Sequence, residues 1–171
     1  MRVGEVLGDG FGRVSQAVLA ALDGLTPQDL ARRPDPDANS IGWLVWHLTR
    51  VQDDHLADAF DREQLWLADE WVVRFSLPLP ARDTGYGHHR DEVAGVRVPS
   101  TEVLRGYFEA VHARTLADVV PLTEPDLDRI VDTSWDPPVT LGVRLISVVA
   151  DDLQHAGQAA YLRGLLRRTV G

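Results

Sequence analysis

The sequence predicts an all-α protein, a four-helix bundle with a long crossing connection in its middle. Three observations carry that expectation. Apolar residues recur at helical spacing through four long stretches. Ser, Thr, Gly and Pro punctuate the junctions between them at helix-start and helix-stop positions. No parallel-sheet pattern, internal repeat, heptad array or low-complexity tract breaks the series. A chain of 171 residues is long enough for one domain, 1–171, with a sizeable core.

The first helix is expected over 5–23, where Val6, Phe11, Val14, Val18, Leu19 and Leu22 follow mostly helical spacing. Three glycines weaken its first half, and Gly24 suits its stop. Thr26 and Pro27 read as cap and first position of a short helix through Leu30. The turn-rich PDPDAN connector (34–39) follows. Ser40 caps a second long helix, 40–60, with Leu44, His47, Leu48 and Val51 on one face and Trp43 one turn before His47. Residues 61–99 read as a long connection with one short helix; connections of this length often shape a binding site. Ser100 opens a third long helix, 100–121, with Leu104, Phe108, Val111 and Leu116 inward and Pro121 at its end. Thr123-Glu-Pro125 marks a brief turn, and WDPP (135–138) breaks the chain again. Thr140 caps a fourth long helix, 140–168, with Leu141, Val148, Asp151, His155, Ala159 and Leu162 inward. Short links and one long crossing are the pattern of a four-helix bundle.

Composition narrows the chemistry. There is no cysteine, which excludes a disulfide scaffold, thiolate metal ligands and a cysteine nucleophile. Any thiol chemistry must take its sulfur from a small molecule. All seventeen basic residues are arginine, so no lysine Schiff base forms. A net charge of -9 argues against a nucleic-acid footprint. The longest apolar run, Val139 to Ala150, is interrupted by Arg144 and followed by Asp151 and Asp152, so no membrane span is expected. The N-terminus lacks the apolar core of a signal peptide, and a cytoplasmic location is expected.

Two histidines on the apolar faces of two long helices, His47 and His155, are the leading functional signal. Asp151 lies one turn before His155, about 40° around the helix, so both side chains can project to one point. In a bundle, His47 can meet them across the core. Two imidazoles and a carboxylate would leave coordination positions open on zinc, or on non-haem iron, nickel or manganese. The same residues admit a plainer reading: a hydrogen-bonded core histidine, and a carboxylate paired with a neighbouring arginine. Trp43, Asp54 and Gln158 are candidates for supporting or pocket positions; for Asp54 the alternative is a solvated helix end, and for Gln158 a helix-face hydrogen bond. His55 reads as surface or pocket border, and His88 and His89 as an exposed polar turn. Trp46, Trp66 and Trp71 belong to a pocket, the core or an interface, and a homodimer could use Trp66 and Trp71.

The stretches IGWLVWHLTRVQDDH (41–55) and TLGVRLISVVADDLQHAGQAAYLRGL (140–165) resemble the DinB-like metal-binding superfamily, and within it the mycothiol-dependent transferases and isomerases. The resemblance follows the whole chain in length and element order, is specific at these two stretches and is weak across 61–99. It implies an up-down-down-up bundle with one ligand histidine in the second long helix, matching His47. A pair spaced by four in the last helix matches Asp151 and His155. Asp151 replaces the commoner histidine, as in the maleylpyruvate isomerase group, and its neighbour Asp152 is the alternative that spacing disfavours. The resemblance further implies a divalent metal (zinc first, nickel or iron next) and a mycothiol-type thiol as cosubstrate. The expected activity is a metal-dependent thiol S-transferase acting on an electrophilic small molecule. The rival readings are a metal-dependent hydrolase using activated water and a non-catalytic helical interaction module.

Overall fold

A computed structural model describes residues 1–168. Four long helices form the body: α1 (Val3–Leu22), α3 (Ile41–Ala59), α7 (Thr101–Val119) and α8 (Leu141–Arg168). Shorter helices lie between them: α2 (Pro27–Ala31), α4 (Leu65–Ala68), α5 (Trp71–Phe75) and α6 (Arg90–Gly95). A 3-10 turn (Glu124–Asp128) and a small antiparallel hairpin, β1 (Ile130–Asp132) with β2 (Val139–Thr140), lead into α8. The long helices close a ring in which α1 packs on α7 and α8, and α3 packs on the same two from the opposite corner. This is the all-α, four-helix bundle that the sequence predicts.

The caps are where the sequence places them. Ser40 Oγ accepts from Trp43 N at 3.1 Å, Ser100 Oγ from Val103 N at 3.2 Å and Thr140 Oγ1 from Val143 N at 3.3 Å. Each side-chain oxygen satisfies a backbone donor that the first helical turn leaves unpaired. Thr26 and Asp29 cap α2 reciprocally. The first helix departs from expectation at Val6, which is half exposed, while Leu7 is buried. This end also packs closely: a Cβ on Gly4 would collide with the Val119 and Val120 carbonyl oxygens, so only glycine lets α1 approach the end of α7 so closely.

The connection 61–99 carries three short helices rather than one. Each is too short to display a helical period, and tertiary anchors hold them instead. Trp66, Trp71 and Phe75 are buried against Tyr107 of α7. Trp66 and Trp71 therefore belong to the core, and neither supplies the free apolar face that a homodimer interface would need. The carboxylate of Asp53 accepts from Leu65 N at 3.0 Å and Trp66 N at 2.8 Å, capping α4 from the flank of α3. It also accepts from the Tyr107 hydroxyl at 2.9 Å and faces the Arg50 guanidinium at 3.7 Å. Arg50 is fully buried, and donates to Gln64 Oε1 at 2.8 Å and to the Asp83 carbonyl at 3.1 Å. This network fastens the connection over α3, which is why residues 41–50 are buried all round rather than on one face. Among the described residues, no helix is long and apolar enough to cross a membrane.

Candidate metal centre

Because α3 and α8 are neighbours in the ring, His47 on one meets Asp151 and His155 on the other. One ligand atom from each of the three lies within 4.8 Å of the others. The two imidazole rings sit edge to face with centroids 4.7 Å apart. His47 is buried; Asp151 and His155 are half-buried.

Hydrogen bonds fix which nitrogen each ring presents. His47 Nδ1 lies 2.5 Å from the Thr84 carbonyl oxygen, and His155 Nδ1 lies 2.9 Å from the Asp151 backbone carbonyl. A carbonyl only accepts, so both Nδ1 atoms carry the proton and donate, leaving both Nε2 lone pairs free. Metal-binding histidines are oriented this way, by a second hydrogen bond from the other ring nitrogen. The Asp151 carboxylate adds the anionic donor. Its Oδ2 is buried without a hydrogen-bond partner, although it lies 3.4 Å from His155 Nδ1, whose proton is aimed at the backbone carbonyl instead. Two free imidazole lone pairs around an orphaned carboxylate oxygen fit a divalent cation, which would satisfy all three.

Electrostatics agree. Burial holds His47 below the ordinary imidazole pKa, with His155 adding to the effect against the Thr84 hydrogen bond. His155 is raised by the Asp151 carboxylate, and Asp151 is lowered by His155. A buried carboxylate oxygen left without a donor is costly, and a cation there would relieve it.

A strap from Asp83 to His88 lies over the His47 side of the site. Asp83 Oδ1 accepts from Gly85 N at 2.7 Å, and the Asp83 carboxylate lies 3.1 Å from His88 Nε2. Trp43 Nε1 donates to His88 Nδ1 at 3.1 Å, so His88 carries its proton on Nε2 and gives it to Asp83. Trp43 also stacks on His47, with centroids 4.6 Å apart and planes 15° from parallel. The strap approaches so closely that a Cβ on Gly85 would lie 2.8 Å from His47 Nδ1, and Gly85 has a φ of +88°.

A cavity of about 160 Å³ opens beside the three residues, walled by His47, Val51, His55, Tyr86, Ser147, Val148 and Asp151. Other candidates fall elsewhere. Asp54 is engaged by Gln64 Nε2 at 2.6 Å, on the Arg50 network. Gln158 is exposed in a separate groove with Tyr161 and Leu44. His88 is not an exposed turn residue; its side chain is only 4 % exposed, because the two partners just described pull it inward. His89 is exposed, at the start of α6. Asp152 is fully buried and is not one of the converging three: neither carboxylate oxygen has a partner, and burial pushes its pKa well above the carboxylate range. Sequence reasoning missed Thr84, Gly85 and Asp83. A backbone carbonyl carries no residue signature, and the only trace of the strap is the turn-forming DTGYG run.

The solved structure of a conserved protein from Enterococcus faecalis superposes with a TM-score of 0.89 at 31% identity, covering 95% of this chain and 96% of that one. Among curated proteins, none matches. The family model described as mycothiol-S-transferase matches residues 7–168. The chain belongs to the mycothiol-S-transferase family.

Proposed function

We propose that the chain is a divalent-cation-dependent S-transferase that joins mycothiol, or a thiol like it, to an electrophilic small molecule. The observation that carries this reading is the convergence of His47, Asp151 and His155 within 4.8 Å, with both Nε2 atoms free and Asp151 Oδ2 orphaned. Membership of the family supports the choice of thiol.

His47 Nε2, His155 Nε2 and the Asp151 carboxylate would hold zinc, nickel or iron. A cation there supplies Lewis-acid chemistry, lowering the pKa of an incoming thiol so that it is available as thiolate. The protein's own part is positional. Thr84 and the Asp151 carbonyl keep the two rings in the binding tautomer. Trp43 and the strap restrict water on the His47 side. Val51, Val148 and Tyr86 offer apolar wall to the organic partner. Without a cysteine in the chain, the nucleophilic sulfur must arrive with the cosubstrate.

The test is conjugation of mycothiol to a fluorogenic electrophile, followed with and without a chelator. Product formation that needs both thiol and cation supports the reading. Cation-dependent turnover without thiol replaces it with hydrolysis by activated water. A chain that takes up no cation and gains no thermal stability from zinc, nickel or iron is an interaction module instead.

A further inference from the structure

One residue of the cavity wall, His55, belongs to a charged cluster that the three candidate ligands do not use. Arg144, on the first turns of α8, is almost buried. Its guanidinium reaches Asp132 Oδ2 of the hairpin at 2.9 Å, Asp58 Oδ2 of α3 at 3.5 Å and His55 Nδ1 at 2.9 Å. An arginine has five N–H donors and no acceptor. His55 Nδ1 must therefore accept, and a neutral ring that accepts at Nδ1 carries its proton at Nε2. Burial, with the Arg144 guanidinium second, holds His55 below the ordinary imidazole pKa, so the ring is neutral near pH 7. His55 lines the same cavity as His47 and Asp151, and Nδ1 is the ring nitrogen that Arg144 occupies. What remains is an N–H donor of fixed tautomer, on a residue that lines the space beside the proposed cation.

We propose that His55 Nε2–H is the hydrogen-bond donor to the electrophile, and that the cavity selects α,β-unsaturated carbonyl compounds, whose carbonyl oxygen accepts from it. The proposal rests on the thiol-transfer reading above. The thiol releases its proton to water, and the thiolate sulfur forms a bond to the β-carbon. The C=C π pair moves to the α-carbon and carbonyl, giving an enolate whose oxygen gains negative charge against Nε2–H. The α-carbon then takes a proton from water, so thiol and acceptor combine with nothing left over. The hydrogen bond strengthens as charge develops, which is the condition for a donor to accelerate the step. An electrophile without an acceptor oxygen would cover this N–H and leave it unpaired, and sites built around a donor discriminate against such analogues. Arg144, braced by Asp132 and Asp58, acts through His55 as a positioning residue.

The experiment compares cyclohex-2-enone with benzyl chloride as acceptors for mycothiol, in the cation-loaded parent, His55→Phe and His55→Gln. Phe keeps the ring and deletes the donor; Gln keeps an N–H at similar reach. In His55→Phe the ratio of kcat/KM for enone over halide falls about 100- to 1,000-fold, the scale of losing one oxyanion donor. His55→Gln recovers most of it. A ratio within threefold of the parent in His55→Phe, at unchanged cation content, overturns the inference and leaves the transfer reading standing. Absence of transfer to either acceptor in the parent overturns both. Nitrogen-15 NMR of the histidine rings gives an independent readout: His55 shows a protonated Nε2 and a bare Nδ1 at pH 7.5. Protonation at Nδ1 overturns the inference whatever the kinetics.

Discussion

Substituting Gly85 by alanine tests the claim that the strap sets the metal affinity of His47. Two separable effects follow from the geometry. Gly85 has a φ of +88°, and a left-handed conformation costs an L-residue about 1–2 kcal/mol. The added methyl would also lie 2.8 Å from His47 Nδ1, 2.9 Å from the Trp46 ring and 3.3 Å from Trp43. The first two separations are too short for a methyl carbon, so the strap must lift and take the Thr84 carbonyl with it. Losing the hydrogen bond that orients a ligand histidine typically costs about 10–100-fold in metal affinity. Gly87 supplies the control. Its φ is +74°, and a Cβ there would meet nothing within 4 Å. Gly87→Ala therefore carries backbone strain alone, lowering Tm by about 2–8 °C in a chain of this size with little change in affinity. Zinc competition against a chromophoric chelator, with thermal unfolding of the metal-free proteins, separates the two effects. Equal affinities in Gly85→Ala and Gly87→Ala would refute the reasoning.

Three further outcomes are expected. Asp53→Ala removes the cap of α4 and the only carboxylate paired with the fully buried Arg50 among the described residues, and lowers stability by about 3–5 kcal/mol in urea unfolding; a loss under about 1 kcal/mol contradicts the network. Asp152→Asn stabilises the metal-free chain by about 1–3 kcal/mol near pH 8, because it removes a buried carboxyl that has no partner when ionised. The folded-state pKa of Asp152 is raised, so the parent loses stability as pH rises from the unfolded value through the folded one, and the advantage of the substitution shrinks to nothing near pH 4; a gain that is flat with pH contradicts the assignment. Zinc-induced stabilisation disappears as pH falls through the raised pKa of His155, because the cation requires the proton off, whereas in the metal-free chain that raised pKa favours folding in acid and the benefit is lost as pH climbs past it. Thermal shifts with and without zinc from pH 5 to 8 read this directly, and a zinc shift that is constant across the range contradicts it.

The bundle was legible because its long helices announce themselves by apolar spacing, and three of the four also by a cap. Ser40, Ser100 and Thr140 all accept the backbone donors expected of them. The juxtaposition of His47 with Asp151 and His155 was legible for a related reason: a spacing of four puts two side chains on one helical face, and a small bundle has few faces to offer. The connection was not, because α4, α5 and α6 are held by partners distant in sequence, such as Asp53 and Tyr107, rather than by local periodicity. Arg144 shows the same limit. On the helix it reads as an interruption of an apolar run, and its role at His55 depends on the hairpin carboxylate of Asp132, which no spacing rule relates to it. His88 was misplaced because polar neighbours suggest exposure, while its burial depends on two hydrogen bonds that only the folded strap brings together.

The most direct test of the central claim is metal content per chain, by elemental analysis after saturation with zinc and desalting, in the parent and in His155→Ala. The account predicts about one equivalent in the parent and almost none in the variant, with the variant still helical, since the ring is only half-buried and its loss leaves the core intact. Full occupancy in His155→Ala, or a parent that retains no cation, would contradict it.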